Sequence, residues 1–319
     1  MSVRILSEQD VHRLLPMDEC IAAMEGVLAS LARGELYNPL RLVIRPPEES
    51  TLMGLMPAHR SGPDAVYALK AVCIAPANAA LGLDLHQGFV ALFDGVTGAT
   101  RAIMNAGAIT AIRTAAVTGV ATKLLARPGS RTLAILGAGT QARAHLNAMR
   151  TVLPFDDVRV WSRTPGRAAE LDGVVEVSSA EEALRDADVV VTATTAREPI
   201  VQREWLAEGA HVNAVGSSIP TTRELDTRTM AEAALFVDRR ESTLNEAGDY
   251  LFPMREGAIG PENIRAEIGE LLIGAAEGRR DDSELTVFKS LGLGVEDLAA
   301  AEHILRRAEA ENVGIEAEL

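Results

Sequence analysis

The segment 132–149, TLAILGAGTQARAHLNAM, restricts the fold of this chain more than any other. Leu133–Leu136 is a short apolar run without alternation, which is typical of a parallel strand covered on both faces. Gly137 and Gly139 then permit a tight turn and the close approach of backbone to a pyrophosphate, and a helix is predicted over 140–150. Because a strand precedes the glycines and a helix follows them, the segment predicts a dinucleotide-binding βα unit rather than an ordinary βα turn.

Further apolar runs and helical patterns alternate along the next hundred residues. Such alternation predicts an α/β fold, with a Rossmann-type, doubly wound parallel sheet. The predicted strands are 158–162, 188–194, 211–217 and 234–238, and the helical stretches are 180–187, 202–207 and 228–233.

The end of the second predicted strand bears on which dinucleotide binds. An acid at this position would bind the ribose 2′-hydroxyl of NAD, but the strand ends in Ser162, Arg163 and Thr164. Two hydroxyls and a guanidinium suit a 2′-phosphate, so the sequence favours NADP(H). The alternative is that Arg163 is a solvated surface residue and that the protein uses NAD(H).

Composition excludes several classes of function. A chain of 319 residues with a formal net charge of −14 is expected to form two domains and to bind neither nucleic acid nor anionic membranes. The two cysteines predict a reduced, cytoplasmic protein, and the scattered histidines predict no metal site. The N-terminus lacks an apolar leader, and no apolar run is judged long enough to span a membrane.

The glycine turn lies in mid-chain, so a substantial domain is expected before it. Helices are predicted from residue 7 and over 16–34, and strands over 40–45, 52–56, 65–74, 88–94 and 99–105. A long helix over 108–125 leads into the turn, and an amphipathic helix over 294–311 is expected to return to the front domain. The sequence thus predicts a second, α+β domain.

Two charged residues have competing interpretations. Lys70 interrupts an apolar strand, where burial is costly unless the lysine is paired; alternatively it lies on the solvated face of a half-exposed strand. Asp226 can cap the helix that begins near residue 227, which is a sufficient structural reason for its presence.

Six segments together resemble the ornithine cyclodeaminase/mu-crystallin family, over nearly the whole chain. They are Leu69-Lys-Ala71, Leu85-His-Gln87, Ile109-Thr-Ala-Ile-Arg-Thr-Ala-Ala116, Leu136–Ala142, Asn213–Ser217 with Arg223-Glu-Leu-Asp226, and Thr286–Gly292 with Val295-Glu-Asp297. The resemblance implies a Rossmann domain over 119–294 and a substrate-binding and dimerisation domain formed by 1–118 and 295–319. It also implies a homodimer and hydride transfer at the α-carbon of a small amino or imino acid.

The resemblance also assigns roles to individual residues. Arg113 and Arg41 match substrate-binding arginines, whose planar forks suit a carboxylate, although Arg45 competes with Arg41. Lys70 would polarise the substrate or donate a proton, and Asp226 would be the general acid/base at the substrate nitrogen.

The cofactor contacts come from the glycine turn, the second strand and the resemblance. The turn supplies Gly137, Ala138, Gly139, Thr140 and Gln141, and the second strand supplies Ser162, Arg163 and Thr164. The resemblance adds His86, Thr114, Thr194, Val215, Gly216 and Ser290.

Three functions remain open: an NAD(P)H-dependent imino-acid reductase or amino-acid dehydrogenase, an ornithine cyclodeaminase that recycles NAD, and a non-catalytic small-ligand-binding protein. The apolar segment Gly54–Pro57 stands where cyclodeaminases carry a glutamate, and the chain lacks their longer tail; both features favour the reductase. Asn105 replaces an aspartate that is commoner in the family, which puts the local geometry in doubt. The joint presence of Lys70, Arg113 and Asp226 argues against a non-catalytic protein.

Overall fold

A computed structural model describes residues 2–83 and 85–318, without the side chains of residues 79 and 80. Its α-helices are α1 (Glu8–Leu14), α2 (Met17–Ala32), α3 (Ala106–Leu125), α4 (Thr140–Val152), α5 (Ala180–Leu184), α6 (Thr227–Glu232), α7 (Arg240–Glu246), α8 (Gly248–Arg255), α9 (Ile268–Leu272) and α10 (Gly294–Glu311). Its strands are β1 (Ser2–Leu6), β2 (Leu36–Tyr37), β3 (Leu42–Ile44), β4 (Leu52–Arg60), β5 (Val66–Ile74), β6 (His86–Asp94), β7 (Thr100–Asn105), β8 (Thr132–Leu136), β9 (Asp157–Trp161), β10 (Val175–Glu176), β11 (Val189–Thr192), β12 (His211–Ala214), β13 (Ala234–Val237), β14 (Ile264–Glu267), β15 (Thr286–Lys289) and β16 (Ile315–Glu318).

The chain divides into two compact units. Unit 1 contains residues 1–113 and 292–319, and unit 2 contains residues 114–291. The first junction falls inside α3, and both junctions fall slightly earlier than the domain boundaries predicted from the sequence. Unit 2 is therefore a continuous segment inserted between the two parts of unit 1.

Unit 1 contains a mixed sheet with the order β16-β1-β7-β6-β5-β4-β2, and β3 pairs with β4. Neighbouring strands run antiparallel except β1 and β7. Successive side chains of β4 and β5 alternate between a buried and a more exposed face, as the pleat requires. Helix α10 packs against β4, β5 and β6, so the buried face is the one that this helix covers.

The other face of the unit 1 sheet is apolar and open. Leu42, Ile44, Met53, Tyr67 and Phe89 all have more than a third of their surface exposed. Because Leu42 pairs with Leu55 and Ile44 pairs with Met53, β3 extends this face beyond β4. Large exposed apolar patches are typical of interaction surfaces.

Unit 2 is a parallel sheet with the order β10-β9-β8-β11-β12-β15-β13-β14. Apart from Thr132, every residue of β8, β11, β12 and β13 is buried, which explains their largely apolar sequence. Strand β8 lies between β9 and β11, so the strand order reverses at β8, where ligands bind in doubly wound sheets. The predicted Rossmann-type fold is confirmed.

Several elements differ from the sequence prediction. Residues 203–205 form only a short 3₁₀ turn within the predicted helical stretch 202–207. Strand β15 lies between β12 and β13 but was not predicted, because Thr286–Lys289 is short and ends in lysine. Helix α3 is long and apolar enough to span a membrane, contrary to the sequence judgement, yet 83% of that window is buried inside the protein, as in a core helix.

Candidate active site

The glycine turn of unit 2 has the geometry that its sequence predicts. Gly137 has φ +122°, and a Cβ there would come within 2.5 Å of the Ala193 carbonyl oxygen. Its amide donates to the carbonyl of Trp161 at 2.8 Å, which ties the turn to the end of β9. A side chain at this position would therefore separate the ends of β8 and β11.

The N-terminus of α4 is open in front of its amides. Gly139 is the N-cap and supplies no side-chain hydrogen bond, and a Cβ built on it meets no atom within 4 Å. The first amides of a helix lack partners inside the helix and attract anions. The space and the donors beside Ala138, Thr140 and Gln141 thus fit the pyrophosphate of a dinucleotide.

The end of β9 is an exposed, basic turn. The Ser162 hydroxyl donates to the Thr164 carbonyl at 2.5 Å, and Arg163 is exposed. Among the described residues Arg163 has no ion-pair partner, whereas Arg143 pairs with Glu170 at 3.3 Å. No described side chain therefore neutralises the Arg163 guanidinium.

The other predicted cofactor residues of unit 2 follow strands of its sheet or begin its part of α3. Thr194 follows β11, Val215 and Gly216 follow β12, and Ser290 follows β15. The carboxyl ends of parallel strands share one edge of a sheet, so these residues lie at the edge that carries the glycine turn. Thr114 is buried in α3, and His86 is the exposed first residue of β6 in unit 1.

Lys70 is buried and paired, so its placement on a solvated face is wrong. Only 3% of Lys70 is exposed, and its Nζ lies 2.8 Å from Asp297 Oδ2. Burial, together with the positive charge of Arg113, lowers the pKa of Lys70 to about 8. The ammonium can therefore lose or regain a proton close to neutral pH.

Arg113 completes a buried ionic cluster in unit 1. Its guanidinium lies 2.7 Å from Glu296 and 3.0 Å from Asp297, both in the first turn of α10. Burial by itself raises the pKa of Asp297, but Arg113 and Lys70 reverse this and hold it below the usual range. The sequence prediction missed both acids as site residues, although a buried lysine implied a partner and Val295-Glu-Asp297 had been noted.

Arg41 belongs to the same part of unit 1. It is half-buried, immediately precedes β3 and donates to the carbonyl of Gly292 at 3.1 Å. Its charge also lowers the pKa of Lys70, as a smaller contribution after burial and the neighbouring cluster. Arg45 is exposed beyond β3, so Arg41 is the better candidate of the two.

Asp226 caps α6, as its sequence context predicts. Its Oδ1 accepts a hydrogen bond from the Thr229 amide at 2.9 Å, and the residue is half-buried. The cap uses one carboxylate oxygen and fixes the orientation of the group. The capping role is compatible with proton transfer by the other oxygen.

The chain combines a doubly wound sheet, whose glycine turn fits a pyrophosphate, with a buried lysine that can lose its proton near neutral pH. These features define a dinucleotide-dependent oxidoreductase. The sequence model of the ornithine cyclodeaminase/mu-crystallin family matches residues 1–312, and the chain belongs to this family. It is an NAD(P)-dependent enzyme that transfers hydride to or from the α-carbon of an imino or amino acid.

Individual relatives cover almost the whole chain. Ketimine reductase mu-crystallin of Mus musculus is 41% identical over 289 residues, which are 88% of this chain and 89% of the mouse protein. The structure of Thermococcus litoralis Δ1-pyrroline-2-carboxylate reductase with NADH and L-proline has a TM-score of 0.95 at 37% identity, covering 98% of this chain and 99% of the other. An archaeal alanine dehydrogenase dimer with bound NAD has a TM-score of 0.94 at 34% identity, and each chain is covered completely.

Proposed function

We propose that the protein is an NADPH-dependent reductase of small imino acids that carry one carboxylate. The observation that carries the proposal is the buried cluster of Lys70, Arg113, Asp297 and Glu296. Its two positive and two negative groups balance, and the neighbouring Arg41 adds a positive charge. Three cationic side chains in one part of unit 1 suit the binding of a substrate carboxylate.

The residues divide the chemistry between them. Arg41 and Arg113 would orient the substrate carboxylate, and the Lys70 ammonium would hydrogen-bond the substrate and hold a proton beside it. Asp226 would exchange a proton with the substrate nitrogen through the oxygen that does not cap α6. The bound dinucleotide supplies or accepts the hydride at the α-carbon.

The proposed preference for NADP(H) depends on the turn after β9. Arg163 has no ion-pair partner among the residues that the structure describes, and Ser162 and Thr164 add hydroxyls beside it. A 2′-phosphate would form charge-assisted hydrogen bonds with this set, whereas a 2′-hydroxyl would find no carboxylate there. Arg163→Ala should therefore weaken NADPH binding and leave NADH binding nearly unchanged, as measured by titration of each cofactor.

We also propose that the protein is a homodimer in the cytoplasm, with the open face of the unit 1 sheet as the interface. The apolar side chains of this face, including Leu42, Met53 and Tyr67, would be covered by the same face of a second copy. The free cysteines Cys20 and Cys73 are consistent with a reducing compartment. Light scattering tests the dimer, and Tyr67→Asp should yield monomers.

The central experiment is a substrate panel with the purified protein. We expect oxidation of NADPH with a cyclic imino acid, or with a 2-oxo acid plus an amine, and at least a tenfold lower rate for Lys70→Ala and for Asp226→Asn. Near-normal rates of either variant would remove that residue from the site. Absence of turnover with every imine, together with release of ammonia from ornithine in the presence of NAD, would replace the proposal by a cyclodeaminase.

A further inference from the structure

A second buried carboxylate cluster lies in unit 2, and the sequence prediction assigned it no role. Glu224 is completely buried in the connection between β12 and α6, two residues before Asp226. Its carboxylate accepts four hydrogen bonds from groups that follow or end two neighbouring strands. A buried carboxylate is costly unless it is satisfied in this way.

The four donors are arranged symmetrically on the two oxygens. Oε1 accepts the amide and the hydroxyl of Thr194, at 2.8 and 2.7 Å. Oε2 accepts the Thr192 hydroxyl at 2.6 Å and the Gly216 amide at 2.7 Å. Glu224 therefore ties the end of β11 to the end of β12 at the edge of the sheet that carries the glycine turn.

The packing around Gly216 shows how closely the two strand ends approach. A Cβ on Gly216 would lie 2.2 Å from the Thr194 carbonyl oxygen and 2.5 Å from Glu224 Oε1. Both Thr194 and Gly216 are among the residues predicted to contact the cofactor. A small displacement of either strand end would therefore displace predicted cofactor contacts.

Glu224 is itself held in place by a buried ion pair. Its amide and that of Leu225 donate to Asp249 Oδ1 at 2.7 and 3.0 Å, and Lys289 Nζ lies 3.0 Å from Asp249 Oδ2. Lys289 also donates to the carbonyl of Ala214, the last residue of β12, at 3.1 Å. Burial and the nearby Asp249 raise the pKa of Glu224, while Lys289 and the threonine hydroxyls oppose this rise.

We propose that Glu224 is a positioning residue for the dinucleotide: it fixes Thr194 and Gly216 in the arrangement that binds the cofactor, without touching the cofactor itself. The backbone of this segment is bonded to residues 200 and 201: the Ile200 and Val201 amides donate to the Glu224 carbonyl, and the Asp226 amide donates to the Val201 carbonyl. This role rests on one part of the proposed function, namely that unit 2 binds a nicotinamide dinucleotide.

The variant Glu224→Gln has nearly the same shape and tests the proposal directly. An amide nitrogen cannot accept hydrogen bonds, so one oxygen position is lost whichever way the amide turns. The hydroxyls of Thr192 and Thr194 can rotate and accept a hydrogen bond from the new amide nitrogen, whereas the backbone amides of Thr194 and Gly216 can only donate. The glutamine nitrogen would settle opposite the Gly216 amide, because that amide has a second acceptor, the Thr192 carbonyl at 3.2 Å. Two donors would then face each other, and the glutamine would push the end of β12 away.

Asp188 provides a matched control at the opposite edge of the same sheet. This residue precedes β11, and its carboxylate accepts the amides of Arg131 and Thr132 at 2.7 and 2.9 Å and pairs with Arg127. Asp188→Asn therefore removes a comparable set of hydrogen bonds from the amino ends of β8 and β11. It should lower stability without changing the cofactor edge.

Titration without substrate measures the dissociation constants of NADPH and of NADH for each variant. Urea unfolding of the same proteins measures their stability. We expect Glu224→Gln to raise the constant about tenfold, the size expected for losing a hydrogen bond to a charged group. We expect Asp188→Asn to leave it unchanged. An unchanged constant in folded Glu224→Gln, or an equal rise in Asp188→Asn, would overturn the proposal.

A milder variant keeps the test decisive if Glu224→Gln does not fold. Thr192→Val removes one hydroxyl donor and leaves both backbone amides paired, so we expect a rise of about threefold. An unchanged constant for Thr192→Val would then contradict the positioning role. Failure of the unmodified protein to bind either dinucleotide would instead contradict the proposed function.

Discussion

Each unit of the molecule contains a buried lysine paired with a buried aspartate, yet the charged groups beside the two pairs differ. In unit 1, Lys70 and Asp297 are 2.8 Å apart, and Arg113 is a second cation on Asp297 at 3.0 Å. In unit 2, Lys289 and Asp249 are 3.0 Å apart, and the additional group beside them is a second acid, Glu224. Burial of a lysine therefore does not by itself reveal a ligand site, because both units contain such a pair and only the groups beside the pairs differ.

The largest expected effect tests this difference with the same substitution in both units. Lys289→Met removes the cation that pairs with the buried Asp249 beside Glu224, so we expect a loss of about 3–5 kcal/mol in the free energy of unfolding. Lys70→Met should cost less, because Asp297 retains Arg113 at 3.0 Å.

Urea unfolding can report on the two units separately. Both tryptophans, Trp161 and Trp205, belong to unit 2, so their fluorescence follows Lys289→Met, while far-ultraviolet circular dichroism follows both variants. Equal losses, or a larger loss for Lys70→Met, would show that the two pairs are not distinguished by their surroundings.

The next largest effect concerns the loss of folding stability at acid pH, which we expect to arise from two buried histidines of unit 2. Burial lowers the pKa of His145 to about 4 and that of His211 to about 3, from 6.5 in the unfolded chain. The folded state therefore binds fewer protons, and stability present above pH 6.5 is lost as the pH falls towards these values. Each histidine should contribute about 1.4 kcal/mol per pH unit within its window.

Replacement of one histidine should flatten this dependence. We expect His211→Gln to reduce the slope of unfolding free energy against pH between 6.5 and 4, measured by tryptophan fluorescence. His12→Gln is the control, because His12 is largely exposed on α1 and lies 3.9 Å from Glu8, its ion-pair partner among the described residues. A slope that is the same in both variants would remove His211 as a cause.

The smallest expected effect is a shift of the pH profile rather than a loss. Burial and Arg113 lower the pKa of Lys70, and Asp297 opposes them by raising it. Asp297→Asn should therefore lower the pKa of Lys70 below about 8. If the reaction needs the ammonium, the alkaline limb of kcat/KM should move down by about one pH unit or more. An unmoved limb would mean that a group other than Lys70 limits the rate at high pH.

The sequence predicted those parts of the fold that depend on contiguous residues. The strand, glycine turn and helix over 132–149 lie where expected, because each signal is local. The anomaly of Lys70 in an apolar strand also pointed correctly to a buried, paired group. Its partner Asp297 was not assigned, because the pair joins opposite ends of unit 1 and no local pattern records such a contact.

Glu224 shows a second reason for failure. It lies in the polar stretch Thr221-Thr-Arg-Glu-Leu-Asp226, where nothing distinguishes it from a solvated surface acid. Its burial arises from β11, β12 and Asp249, which come from distant parts of the chain. Only the assembled sheet reveals that a carboxylate is needed there.

The insertion of unit 2 into unit 1 has a consequence for the order of synthesis. A ribosome finishes all of unit 2 before it adds α10 and β16, and domains generally fold as units while the chain emerges. Lys70 is made early, but Asp297 and Glu296 follow only after residue 291. The ionic cluster around Lys70 is therefore completed only after unit 2 has been made, and a chain that terminates prematurely can contain all of the unit 2 sheet without Asp297, the counter-ion of Lys70.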